Sequence, residues 1–240
     1  MSWAAHEFET YVLQKHLGRR VTLLPLLLGA YAPDLFTKWF VYGIDVGGLH
    51  LAADDPAQFH RGWPGAGFTH SLLFGVALAL VVLFITRNRV WAVSVLIGDW
   101  AHALTDTSDS LGTMLFWPLS TEHITIGAWA YGTEGGRYGD AGSYYSSLGL
   151  VMDGAWLVIG LLNWRVFTRA YFLSTVAPVD PVWAWLCKYL PETALLALYR
   201  GAFFYGATRF AAWMIWAHVT HDYAFDLRWG GPSWVEKVEP

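Results

Sequence analysis

The chain has 240 residues, 55% of them hydrophobic, 17% aromatic and only 14% charged, with a mean hydropathy of +0.35. Charged residues make up about a quarter of an ordinary soluble domain, so the composition points away from a water-soluble globule and towards one membrane-embedded domain over residues 1–240. With 15 Lys+Arg against 19 Asp+Glu and a net charge of −4, the basic footprint of a nucleic-acid binder is missing, and the single cysteine, Cys187, forms no internal disulfide.

The opening stretch MSWAAHEFETYVLQKH carries two glutamates and lacks a basic region followed by an apolar core, so no cleavable signal peptide is expected. Residues 3–17 read as an amphipathic helix, followed by a short apolar segment, 21–32, that contains Pro25 and Gly29. A spanning helix needs about 20 mostly apolar residues, and residues 71–86, 90–104, 148–167 and 193–219 are the stretches that approach this. The fold class predicted is therefore all-α, a polytopic membrane bundle of about four to five spanning helices with an amphipathic N-terminal helix. The intervals 35–70, 107–146 and 223–240 hold most of the Gly, Pro, Asp and Ser, and read as loops.

Lys and Arg accumulate in short cytoplasmic connections, and the pairs Arg19/Arg20, Arg87/Arg89 and Arg165/Arg169 mark three such turns. The opposite helix ends, near Asp34, His70, His102, Ser146 and His218, then face the extracytoplasmic side of a multi-pass inner-membrane protein. His6, at the start of the first helix, joins them. Imidazoles and carboxylates gathered at one depth are what a metal site requires.

Two segments read WAHxxxD: Trp100 to Asp106 and Trp216 to Asp222. Residues four apart lie on one helix face, so each segment presents an imidazole beside a carboxylate, a good donor pair for zinc and similar divalent ions. An isolated pair of this kind is more often a helix-surface contact; its duplication favours a metal site. His60 and His70 flank the Gly- and Pro-rich loop from Arg61 to Thr69, and Asp34 ends the short apolar segment. The candidate ligands are thus His6, Asp34, His60, His70, His102, Asp106, His218 and Asp222, for one or two divalent ions with zinc foremost. Asp34 and Asp106 are the candidate catalytic acids, one of them, Asp34 foremost, being available as general base. Arg61 and Arg137 are candidates for contacts to substrate phosphate.

The order PDL at 33–35, HRG at 60–62, THS at 69–71, HxxxD at 102–106, Gly112 and WPLS at 117–120 resembles the YdjM-like membrane-bound metal-dependent hydrolases, described as LexA-binding, inner-membrane-associated proteins. The resemblance covers roughly residues 1–120, and Asp34, His60, His70, His102 and Asp106 match the family's histidine and acid positions. One departure is the longer gap between HRG and THS, filled by Trp63 to Phe68. More distantly, the order of His6, Asp34, His70, His102/Asp106 and His218/Asp222 is similar to that in zinc-dependent phospholipase C and P1-type nucleases, which favours phosphoester hydrolysis within the hydrolase class.

The function expected is a membrane-embedded metal-dependent phosphatase or phosphodiesterase acting on a lipid-linked or amphiphilic phosphoester, with membrane lipids as partners and no nucleic acid. The alternative is a non-catalytic membrane subunit with a structural metal site, docking a membrane partner through the loop 120–146. A transporter, raised by Arg200 and Arg209 within an apolar run, lacks an inverted repeat. HExxH and Walker A patterns are both missing.

Overall fold

The computed structural model of the protein describes residues 2–37, 44–51, 67–109, 111–128 and 144–220, with 224, 225 and 227. Helix α1 (Trp3–Leu17) ends at Gly18, whose φ of +59° closes the helix where a side chain would be strained. Helix α2 (Leu23–Leu35) follows, then a small antiparallel hairpin of β1 (Ile44–Val46) and β2 (Leu49–Leu51) in the register Asp45↔His50. A 3-10 turn, Phe68–His70, leads into α3 (Leu72–Thr86) and α4 (Arg89–Thr105). Beyond an irregular segment come α5 (Leu148–Leu162), short helical turns, α6 (Pro181–Leu186) and α7 (Glu192–Ile215), which runs on into a π-type turn, Trp216–Thr220.

Local chemistry sets several of these starts. The Ser71 hydroxyl accepts from the Phe74 amide, the Asn88 side chain accepts from Val90 and Trp91, and Ser147 accepts from Gly149, each satisfying amide donors that a helix N-terminus leaves without an internal acceptor. Asp180 does the same for α6, with Pro181 at its first position.

Helix α1 is the hub. It packs against α2 on one side and against α5 and α7 on the other, and residues 4–11 are all buried, which covers every face of the helix. Phe8 and Tyr11 meet Tyr199 and Phe203 of α7 in a core completed by Val166, Phe172 and Trp183. The expectation of an amphipathic helix here is corrected: His6, Glu7, Glu9, Thr10 and Gln14 are turned inwards along with its apolar residues.

The second layer is α2 on α4, flanked by α3. Two glycines let the α2 and α4 backbones touch: a Cβ on Gly29 would lie 2.1 Å from the Val95 carbonyl oxygen, and one on Gly98 would lie 2.2 Å from that of Leu26. No larger residue fits at either position without separating the helices. That close approach sets the ends of α2 and α4, and hence Asp34, His102 and Asp106, side by side.

The polytopic bundle read from the sequence is also corrected. Among the described residues no helix is long and apolar enough to cross a membrane. The most apolar, α3, has 15 residues, or about 22 Å at 1.5 Å per residue, against about 30 Å of hydrocarbon. Arg87, in the left-handed region, stops α3; Asn163 stops α5 after 15 residues. Helix α7 has length but carries Glu192, Arg200 and Arg209. The assignment of cytoplasmic and extracytoplasmic ends rested on spanning helices and falls with them.

Candidate metal centre

His6 lies in the first turns of α1, Asp34 in the last turn of α2, His70 in the turn before α3, and His102 and Asp106 at the end of α4. All five residues are buried, none more than 2% exposed. His102 Nε2 is 3.2 Å from His70 Nε2, 3.4 Å from Asp106 Oδ2 and 3.9 Å from Asp34 Oδ1. His70 Nε2 is 3.5 Å from Asp34 Oδ1 and 3.6 Å from Asp106 Oδ2. Two donors on one tetrahedral ion, each at about 2.0–2.1 Å from it, are about 3.3–3.4 Å apart; four of these five separations, 3.2–3.6 Å, are close to such an edge and the fifth is longer. The other oxygen of Asp106, Oδ1, is 3.5 Å from His6 Nε2. Two groupings could each hold an ion, His6/His102/Asp106 and Asp34/His70/His102, and His102 is common to both.

The donor chemistry fits a cation. His102 Nδ1 contacts the Ala30 carbonyl oxygen at 2.6 Å, and since a carbonyl only accepts, Nδ1 carries the proton and donates. In the neutral ring, Nε2 then keeps its lone pair for the cluster. Such an outer contact on the far ring nitrogen is the usual companion of a metal-bound histidine. His6 is buried and stacked on His102, 3.9 Å between ring centres, and neither of its ring nitrogens makes a well-formed hydrogen bond among the described residues. Burial alone would lower its pKa; the carboxylates of Asp106 and Glu9 outweigh burial and hold it above the usual value. Burial, followed by the neighbouring His6, lowers that of His102 against the pull of Asp106 and Asp34. Helices α2 and α4 both end here, and the negative ends of their dipoles favour a positive charge.

Of the eight ligand candidates named from the sequence, the fold brings together His6, Asp34, His70, His102 and Asp106. His218 is not among them. Its Nε2 hydrogen-bonds the Tyr145 carbonyl oxygen at 2.9 Å and its ring stacks on Phe225. The helix there has passed into a π-type turn, Trp216–Thr220. His60, Arg61, Arg137 and Asp222 lie outside the described residues, as does the middle of the loop 120–146.

Sequence reasoning missed the groups that orient the ligands. Trp3 donates its indole N–H to Asp34 Oδ2, and Glu9 Oε2 stands 3.6 Å from His6 Nδ1. Both are three residues from His6 on α1, a spacing that shares a helix face and was available as a signal. Beside them Glu7, fully buried, accepts from the Tyr31 hydroxyl and, at 2.7 Å, from Arg209 Nη2 of α7. Nothing in the local sequence links residues 7, 31 and 209.

No curated protein and no solved structure matches the chain. The family model described as YdjM inner membrane protein matches residues 4–177. That span contains all five converging side chains and extends well past the motifs that carry the resemblance. The match covers most of the sequence, and the chain belongs to the YdjM inner membrane protein family.

Proposed function

We propose that the protein is a metal-dependent hydrolase at the inner membrane, acting on a lipid-linked or amphiphilic phosphoester. The observation that carries this reading is the convergence of three imidazoles and two carboxylates, from four separate segments of the chain, each with a donor atom 3.2–3.9 Å from that of at least one other. His70, His102, Asp34 and Asp106 would hold one divalent ion, zinc by the mixture of nitrogen and oxygen donors. His6 with Asp106 Oδ1 would hold a second or tighten the first. A bound ion of this kind activates water near neutral pH and offsets charge on a phosphoryl group. Asp106 offers one oxygen to each side of the cluster, and Trp3 and the Ala30 carbonyl fix the orientations of Asp34 and His102. In place of ligation, Asp34, held at Oδ2 by Trp3, is the candidate general base.

An amphiphilic substrate is favoured by the apolar surface. The adjacent Phe84 and Ile85 at the end of α3 and Leu162 at the end of α5 are 70–75% exposed, apolar groups that a lipid would cover. Membrane lipids are the partners this proposes.

A second reading, a structural metal site in a non-catalytic membrane subunit, draws on the complete burial of the five side chains. Structural sites are closed by protein ligands, whereas catalytic ones keep a position for water. Elemental analysis of the purified protein, alongside hydrolysis of a panel of phospholipids and polyprenyl phosphates, separates the two. The hydrolase reading expects a divalent metal and cleavage of at least one panel member, both lost in His102→Ala and Asp106→Ala. Variants that keep metal and activity refute the ligand assignment. Metal held firmly with no panel member cleaved favours the structural reading.

A further inference from the structure

Helix α7 lies beyond the residues that carry the family match, yet it sends one charged side chain to the edge of the cluster. Arg209 gives an N–H, at Nη2, to Glu7 Oε1, and its Nε has no acceptor among the described residues. Its guanidinium carbon sits 4.5 Å from the Tyr205 ring centre and 5.9 Å from that of Trp3. Trp3 in turn holds Asp34 of the candidate metal centre through its indole N–H. A single indole therefore separates this cation from a carboxylate of the centre. Arg209 is also only partly covered, its side chain being 21% exposed. It is flanked four residues to either side, on the same helix stripe, by the exposed aromatic residues Tyr205 and Trp213.

We propose that Arg209, packed against Trp3 and Tyr205, is a subsite for a phosphoryl oxyanion at the rim of the histidine–aspartate cluster. This rests on the hydrolase reading and deepens it by assigning the group that recognises the anionic head of the substrate. Stacking of a guanidinium on aromatic faces leaves its N–H edge, with its fixed fork of donors, for planar or tetrahedral oxyanions. A single hydrogen bond to Glu7 anchors the fork without using up its donors. The exposed rings of Tyr205 and Trp213 beside it form an apolar border of the kind that sits at a lipid headgroup. The ligand chemistry is a phosphate monoester or diester, met either as a free small molecule or as a lipid headgroup.

The test must separate recognition from simple neutralisation of buried Glu7, because Arg209→Gln alone strands that carboxylate. The double variant Glu7→Gln/Arg209→Gln removes both charges and keeps a hydrogen-bonding pair. Equilibrium dialysis with radiolabelled inorganic phosphate, and flotation with phosphatidylcholine vesicles with and without phosphatidic acid, are run on wild type, Arg209→Lys and the double variant, with metal content measured in each. Wild type is expected to bind phosphate, to prefer the phosphatidic acid vesicles, or to do both; binding of only one assigns the source of the ligand. The double variant is expected to keep its metal content and thermal stability but lose at least tenfold in that binding, with Arg209→Lys between the two. A wild type that binds neither probe, or a double variant that binds as wild type does, overturns the subsite. Protein without metal that still binds phosphate through Arg209 would sink the metal reading and leave the subsite standing. Metal with no Arg209-dependent binding does the reverse.

Discussion

Asp99 offers the sharpest quantitative test of the packing. It lies on α4 one turn before His102, is fully buried, and neither carboxylate oxygen has a hydrogen-bond partner among the described residues. Gly75 of α3 makes the room for it: a Cβ there would come within 2.4 Å of Asp99 Oδ1. Burial raises its pKa from 3.8 to about 8, so at neutral pH the folded protein holds the neutral acid, while the unfolded chain carries the carboxylate. The folded state thus binds the extra proton between about pH 4 and pH 8, and stability falls as pH rises through that window, then levels off above it. At 1.36 kcal/mol per unit, the loss between pH 5 and pH 8 is about 4 kcal/mol. Asp99→Asn cannot ionise and escapes it. Unfolding of wild type and Asp99→Asn in the same detergent, followed by denaturant titration at pH 5, 6, 7 and 8, gives the difference in stability at each pH, and contributions from the histidine cluster cancel in that difference. The expected result is a variant that gains on the wild type by about 4 kcal/mol from pH 5 to pH 8. A difference independent of pH would mean that Asp99 is solvated or paired, and that the α3/α4 packing described here is wrong.

Gly98→Ala sets a methyl group against the Leu26 carbonyl oxygen and is expected to cost about 1–3 kcal/mol by overpacking and to reduce metal content by moving His102 from Asp34. Gly201→Ala, where a Cβ meets nothing within 4 Å, is the control and should stabilise α7 by about 1 kcal/mol; equal effects from the two would refute the reciprocal glycine contact. Trp3→Phe keeps an aromatic ring but removes the donor to Asp34, and metal affinity measured by competition with a chelator should fall about 10–100-fold, whereas unchanged affinity would show that Asp34 needs no such support.

The His102/Asp106 pair was legible because helical geometry is local: four residues apart on one regular helix means one face, whatever the rest of the chain does. His218 stands in a π-type turn and its predicted partner Asp222 lies outside the described residues, and a change of helix type is set by packing rather than by the seven letters of the motif. Helix breaks at Arg87 and Asn163 likewise turned apolar runs of spanning appearance into helices of 15 residues, because hydropathy counts side chains and is blind to where the backbone turns.

Composition, the helical character and the identity of five donors were determined by the sequence itself, since each depends on residue type and short-range periodicity. Which donors meet was decided only by tertiary structure. His6, Asp34 and His102 are brought to one place by glycine contacts between α2 and α4 and by the burial of α1 against α7, and the pairing of Glu7 with Arg209 spans 202 positions. Contacts of that kind arise from the packing free energy of whole helices, which no local pattern encodes.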